Sequence, residues 1–197
     1  IFISFFIMPI HSQEDLWDVI RENSNFQYSA DRSEIQKALK IYQNNQYLVD
    51  RLSKNGQRYL YHMVDETLKR DMPVELALLP FVESQFDPYA QSPAGASGIW
   101  QFILSTAREQ GLKRNWWYDG RRDILNSTKA ATHFLSDMHR HFKKDWLLAI
   151  ASYNTGAGKV GRSMSKAKYV IGKTSFWDLS LPRETEVYVP KLLALRD

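Results

Sequence analysis

Residues 73–88 read Pro-Val-Glu-Leu-Ala-Leu-Leu-Pro-Phe-Val-Glu-Ser-Gln-Phe-Asp-Pro. Pro73 suits the first turn of a helix, which the spacing predicts over 73 to about 84. Pro80 falls inside that span and is expected to kink it by removing one backbone donor. Asp87-Pro88 closes it. The run Leu76–Val82 is apolar throughout and ends on a carboxylate, Glu83. On a helix, Leu79 and Phe86 share the face of Glu83. A carboxyl held against such neighbours has its charged form disfavoured and stays protonated closer to neutrality. That is the property needed to deliver a proton to a leaving glycosidic oxygen. The bland alternative is that Glu83 is simply the first solvated residue after a buried helix.

Outward from this segment the pattern stays helical. Leu60, Met63, Val64, Thr67 and Leu68 form a stripe stopped by Asp71 and Pro73. Ser33 with Gln36 gives a capping-box pattern ahead of Ile35, Leu39 and Tyr42. After Pro88, residues 88–98 are a small-residue loop. A helix is predicted from near Ser105 to Gly111. Another is marked by Ala131, Phe134, Leu135, Met138 and Phe142, with Asn126 or Ser127 as cap. Asp145 caps a short apolar helix through Tyr153 that Gly156 and Gly158 terminate. A last helix runs from about Arg183 to Leu195. Strand-like alternation is nearly absent, so the fold class is mainly α.

The 197-residue chain can bury a sizeable core, and its 44% hydrophobic and 24% charged composition is that of an ordered protein. With no cysteine, disulfides, thiolate chemistry and a cysteine-linked lipid anchor are excluded for the chain as given. His139 and His141 lie two apart and point in different directions on a helix, which disfavours metal binding by them. No metal and no cofactor are called for. The net charge of +4 favours an anionic partner: cell wall, membrane surface or nucleic acid. No nucleic-acid recognition motif accompanies it. The apolar run Ile1–Ile10 is too short to span a bilayer and fits a secretory leader with cleavage near Ser12. Six Trp and ten Tyr exceed what a minimal core needs, and such surplus lines sugar or protein grooves as readily as it fills packing.

The loop after Glu83 adds chemistry. Ser92-Pro93-Ala94-Gly95-Ala96-Ser97-Gly98 lets backbone approach a ligand closely, Trp100 offers an apolar plate for a sugar face, and Gln101 offers an amide to hydroxyl and acetamido groups. Taken alone, this loop would be an ordinary connector.

Four ordered motifs then carry a resemblance over about Leu16 to Ala194. They are Glu83-Ser84-Gln85-Phe86-Asp87-Pro88, the 92–98 loop, Gly98-Ile99-Trp100-Gln101-Phe102, and Ser152-Tyr153-Asn154-Thr155-Gly156. They resemble soluble-lytic-transglycosylase-type domains. PVELALLPFVES, WWYDGRRD and LPRETEVYVPKLLAL are similar to the membrane-bound lytic murein transglycosylase D group. The resemblance implies a lysozyme-like domain at 71–197, an N-terminal helical segment at 13–70 packed on it, and a leader remnant at 1–12.

It further implies an exported, periplasmic or envelope enzyme that binds peptidoglycan glycan strands, with room for membrane or cell-wall association. Such enzymes cut the β-1,4 bond after N-acetylmuramic acid without water, leaving a 1,6-anhydro ring. By position, Glu83 is the acid and then the base. Ser92, Gly98, Trp100, Gln101, Tyr153 and Asn154 match substrate-binding positions, and Glu184 and Tyr188 belong to a motif closing the groove. The Tyr153 hydroxyl is expected within hydrogen-bond reach of Glu83 or the scissile region, so that Tyr153→Phe lowers turnover with little loss of stability. Trp100 stands where soluble members often carry Met. A true hydrolase on the same fold and a non-catalytic wall-binding protein are the rival readings. For a two-carboxylate glycosidase the second acid would come from Asp87, Asp119, Asp123, Asp137 or Asp145, none of which has a setting like that of Glu83.

Overall fold

The computed structural model describes residues 14–196 other than 25, 27 and 29, so the leader expected at 1–12 lies outside the described residues. The described residues form α1 (Glu14–Glu22), α2 (Ser33–Gln43), α3 (Gln46–Leu68), α4 (Leu79–Ser84), α5 (Leu104–Glu109), α6 (Ile124–His141), α7 (Trp146–Thr155), α8 (Ala157–Lys166) and α9 (Arg183–Ala194). The class is mainly α, as the sequence implies. Strand-like pairing among them is confined to isolated bridges, Gln91 with Ser97, Ser97 with Phe102, and Arg114 with Asp119.

The apolar segment is the centre of the molecule. Val74, Leu76, Ala77, Leu78 and Leu79 are fully buried and Phe81 nearly so. The expected single kinked helix is instead two elements, a 3-10 turn over Val74–Leu78 and then α4, with Pro80 in the first turn of α4. There the missing proline N–H has no helical partner to lose, so nothing kinks. Around this axis α3 packs on the 3-10 turn and on α6, α2 on α9, and α7 on α6, α8 and α9. One apolar cluster joins Ile20 of α1, Ile35 of α2 and Leu60 of α3 to Leu148 of α7 and Leu192 of α9.

Local signals were realised unevenly. Asp145 caps α7, accepting from the Leu148 N–H at 3.1 Å. The Ser33–Gln36 capping box does not form: Ser33 is already helical, and the Gln36 amide turns back to the Ala30 carbonyl at 3.0 Å. At α6 the cap is Asp123, which accepts from the Asn126 N–H at 2.9 Å, so the helix starts earlier than Asn126 or Ser127. A charged acceptor at the helix N-terminus outcompetes the neutral ones. Gly156, at φ +86°, does end α7, but Gly158 lies inside α8, an element the sequence pattern hides. Two helical glycines argue against a helix there. Burial of Val160, and the bond from Ser163 Oγ to the Ser180 carbonyl at 2.7 Å, override them.

Candidate active site

Glu83 occupies the last turn of α4, and the chain leaves it through two consecutive left-handed residues, Gln85 at φ +55° and Phe86 at φ +58°. Such backbone costs energy in residues other than glycine and persists only where surroundings enforce it. Here the Gln85 N–H bonds the Phe81 carbonyl at 2.9 Å, the Phe86 N–H bonds the Pro80 carbonyl at 3.2 Å, and Asn55 holds the Gln85 carbonyl at 2.8 Å. Phe86, 1% exposed, anchors the reversal in the core. Ser84 Oγ donates to the Ile99 carbonyl at 2.9 Å, which ties α4 to the 88–103 loop.

That loop is braced from a second side. Gly98, at φ +86°, lies so close to Arg121 that a Cβ there would meet the Arg121 carbonyl oxygen at 1.8 Å. The close approach expected of this glycine is therefore made to the protein's own chain rather than to a ligand. The Arg121 guanidinium, 5% exposed as a residue, donates to the Gly95 carbonyl at 2.8 Å and the Phe102 carbonyl at 3.1 Å, and pairs with Asp119 at 2.7 Å. Trp100 is also corrected. Its ring is fully buried, with Nε1 donating to Thr128 Oγ1 at 2.9 Å, so it is a core residue and presents no plate to a sugar.

The remaining site residues converge on one cleft of about 490 Å³, lined by Glu83, Ser92, Gln101, Tyr153, Asn154 and Glu184 among others. Other surface depressions are larger, up to 670 Å³, and the chemistry of Glu83 rather than volume singles this one out. Ser92 Oγ accepts from the Ala96 N–H at 3.1 Å. Gln101, itself at φ +49°, spends its amide N–H groups on the Ala90 and Gly98 carbonyls at 3.2 and 2.8 Å, leaving its carbonyl for the cleft. Asn154 accepts from Thr185 Oγ1 at 2.7 Å and donates to Glu184 at 3.4 Å, tying the end of α7 to the start of α9.

The hydroxyl bonded to Glu83 is that of Tyr188 rather than of Tyr153, although Tyr153 lines the same cleft. The Tyr153 hydroxyl donates to the Trp100 carbonyl at 2.8 Å, and Tyr188, from α9, is the residue whose hydroxyl donates to Glu83 Oε1. Burial pushes the Glu83 carboxyl up to about 7; the Tyr188 hydrogen bond opposes this and the negative charge of Glu184 adds to it. Both phenols are pushed up by burial, Tyr188 well above the ordinary range, and remain donors. Of the five aspartates considered for a second acid, none lines the cleft. Asp87 accepts from the Tyr89 N–H, Asp119 pairs with Arg121, Asp123 and Asp145 cap helices, and Asp137 pairs with Arg140. Glu184, which that list omits, is the other carboxylate in the cleft. Its place in Leu-Pro-Arg-Glu, near Tyr188, was the available signal.

Residues 61–176 match the family model of the transglycosylase SLT domain. The chain belongs to the transglycosylase SLT domain family. This SLT chain is 43% identical over 183 residues to membrane-bound lytic murein transglycosylase D of Escherichia coli K12, covering 93% of the chain and 40% of that relative. It is 31% identical over 115 residues to membrane-bound lytic murein transglycosylase F 2 of Alkalilimnicola ehrlichii, covering 55% of the chain and 24% of that relative. It thus spans well under half the length of either. In fold it is similar to the 70 kDa soluble lytic transglycosylase of Escherichia coli, with TM-score 0.59, 21% identity, and coverage of 84% of this chain and 30% of that one. A 70 kDa soluble lytic transglycosylase in complex with bulgecin A gives TM-score 0.62 at 20% identity, with the same coverage. Loop 88–103, α4, α6 and α7 fall within the SLT match, whereas α9, with Glu184 and Tyr188, lies beyond it.

Proposed function

We propose that this protein is a peptidoglycan lytic transglycosylase that cleaves the β-1,4 bond between N-acetylmuramic acid and N-acetylglucosamine, leaving a 1,6-anhydromuramic acid end. The observation that carries this reading is Glu83: a carboxyl desolvated to about 7, hydrogen-bonded by Tyr188 and opening on the cleft. One group poised near neutrality can serve as acid and as base in turn, since catalytic efficiency is greatest when the pKa lies near the working pH. Protonated Glu83 gives its proton to the leaving glycosidic oxygen as the bond to C1 breaks. The acetamido oxygen of the same sugar stabilises the positive C1 from the opposite face. The Glu83 carboxylate, held by the Tyr188 hydroxyl, then takes the proton of the C6 hydroxyl while that oxygen bonds to C1. The proton count closes on Glu83 and no water is consumed.

A two-carboxylate hydrolase would need Glu184, the other carboxylate lining the cleft, to act on C1 directly or through a water. Glu184 is solvent-exposed and acts on Glu83 through its charge. Ser92, Gln101 and Asn154 are placed to hold sugar hydroxyl and acetamido groups, and Gly98, Trp100 and Tyr153 to hold the loop that carries Gln101. The reading includes residues 71–197 as the catalytic domain with 13–70 packed on it, supported by the seating of α2 on α9 and of α3 on the 3-10 turn. It also includes export to the periplasm or envelope, where the substrate lies. No helix among the described residues is long and apolar enough to cross a membrane. Mass spectrometry of fragments released from purified sacculi tests the reaction. Fragments ending in anhydromuramic acid, one water lighter than hydrolysed ones, are expected; hydrated ends only would replace the reading with that of a hydrolase.

A further inference from the structure

The loop that follows α5 carries Trp116, the most exposed large apolar side chain among the described residues, next to Trp117. Trp116 is 86% exposed, Trp117 72%, and Tyr89, across from them, 75%. Soluble proteins seldom display adjacent tryptophans to water without a use for them, because each could remove a large apolar area by binding. These rings stand on a braced loop. Asn115 Oδ1 accepts from the N–H groups of Trp117 and Tyr118 at 3.1 and 2.8 Å, and the Asn115 N–H bonds the Tyr118 carbonyl at 2.8 Å. Trp116 and Trp117 meet edge to face, with centroids 4.3 Å apart. Trp116 is a ridge between two depressions, of 670 Å³ on the α5 side and of 610 Å³ on the side of Tyr89 and Gln91.

We infer that this tryptophan ridge is a second glycan-binding surface, outside the catalytic cleft, on which a further stretch of peptidoglycan strand stacks. The inference rests on the peptidoglycan reading of the cleft. Three observations favour a glycan over other occupants. Exposed indole and phenol faces fit the apolar C–H faces of pyranose rings, while Gln91, Asn115 and Arg122 beside them supply hydrogen bonds for hydroxyl and acetamido groups. Arg122 adds a guanidinium beside the rings, while Arg114 is paired with Asp119 at 3.5 Å on the same face. Last, the surface is built onto the wall of the cleft. Arg121, on the same loop as the two tryptophans, clamps Gly95 and Phe102, and Gln91 directly precedes Ser92 of the cleft. A membrane-inserting element would instead be expected to have aliphatic neighbours on both sides, whereas on the side of Tyr89 the ridge borders Gln91, Asn115, Arg122 and Asp123.

The test uses the whole chain in a Glu83→Gln background, so that sacculi are bound without being digested. Co-sedimentation with purified sacculi should weaken about tenfold in Trp116→Ala/Trp117→Ala, with the parent's thermal midpoint. Trp116→Phe/Trp117→Phe should recover most of the binding, because an aromatic face is kept. In the active protein the same alanine pair should raise KM for sacculi while changing kcat far less. Sedimentation equal to the parent overturns the inference. So does parent binding to vesicles of phosphatidylethanolamine and phosphatidylglycerol that the alanine pair abolishes, since the ridge would then be a lipid contact. Failure of the wild-type protein to release anhydro-ended fragments would count against the proposed reaction alone, because sedimentation reads the ridge independently of turnover.

Discussion

Glu75 and Glu83 are two carboxylates eight residues apart on one apolar segment, and they have opposite fates. Glu75 is fully buried; its Oε1 accepts from the Ser24 hydroxyl and from the Phe26 N–H at 3.2 Å, and Ser24 in turn accepts from Arg196 at 3.0 Å. It fastens the chain that follows α1 and the end of α9 to the central segment. Glu83 is packed round by protein but keeps one side open to the cleft, with Tyr188 as its hydrogen-bond donor. A buried carboxyl becomes an acid catalyst only when substrate can reach it and its partners leave both protonation states accessible. A sealed carboxyl with fixed donors is a fastener.

The largest effect that separates them is on turnover. Glu83→Gln should lower release of glycan fragments by at least about 10²–10⁴-fold in a folded protein, because the amide keeps the shape and cannot give up the proton. Glu75→Gln should keep the parent kcat. A folded Glu83→Gln protein retaining roughly a tenth of the rate would remove Glu83 from the mechanism. Stability should show the reverse order. Glu75→Ala removes the acceptor of the half-buried Ser24 hydroxyl and Phe26 N–H, and each hydrogen bond lost costs roughly 0.5–1.5 kcal/mol. Urea unfolding at neutral pH measures it, and an unchanged midpoint would show that Glu75 fastens nothing.

The next contrast is in pH. Glu83 must be protonated to act as acid, so kcat/KM should fall on the alkaline side with a midpoint near 7. Tyr188→Phe removes a bond that favours the carboxylate, so the limb should move up. Glu184→Gln removes a like charge, so it should move down. Linkage gives a second reading of the same group. Between 4.5 and about 7 the folded protein binds more protons at Glu83 than the unfolded one, so its stability declines as pH rises through that window. Glu83→Gln should lack this decline and gain on the parent across it. Limbs that shift together in the two variants, or a stability difference flat in pH, would break the assignment.

The pair also marks how far the sequence could be read. Apolar context, the physical reason for choosing Glu83, applies equally to Glu75 in Pro-Val-Glu-Leu-Ala. What distinguished Glu83 was its order relative to Gln101 and Tyr153-Asn154. The helical class and the α7 cap were legible because periodicity and capping are local. The burial of Trp100 is not legible locally because its indole N–H meets Thr128 of α6, 28 positions away in the chain. Gly98 looked like a ligand contact because its Arg121 neighbour is 23 positions away in the chain. The choice between Tyr153 and Tyr188 as partner of Glu83 likewise depends on how α7 and α9 converge on α4, which no spacing encodes.

The smallest expected effect concerns that choice. Tyr153→Phe keeps the ring contacts with Phe102 and Phe134, whose centroids lie 6.0 and 5.6 Å away, and deletes one oxygen. That oxygen donates to the Trp100 carbonyl, while Ser84 Oγ donates to the carbonyl before it, that of Ile99. α7 and α4 thus pin successive peptides of the loop that holds Gln101 in its left-handed conformation. Losing one of two pins should cost about 1 kcal/mol of stability. It should raise KM through a slacker Gln101, with the alkaline limb unmoved because Glu83 keeps its Tyr188 bond. This differs from Tyr188→Phe, which should move the limb. The variant measured by urea unfolding and by a pH–rate profile decides between the two tyrosines. A drop in kcat with full stability and a shifted limb would return Tyr153 to the carboxyl and displace Tyr188 from it.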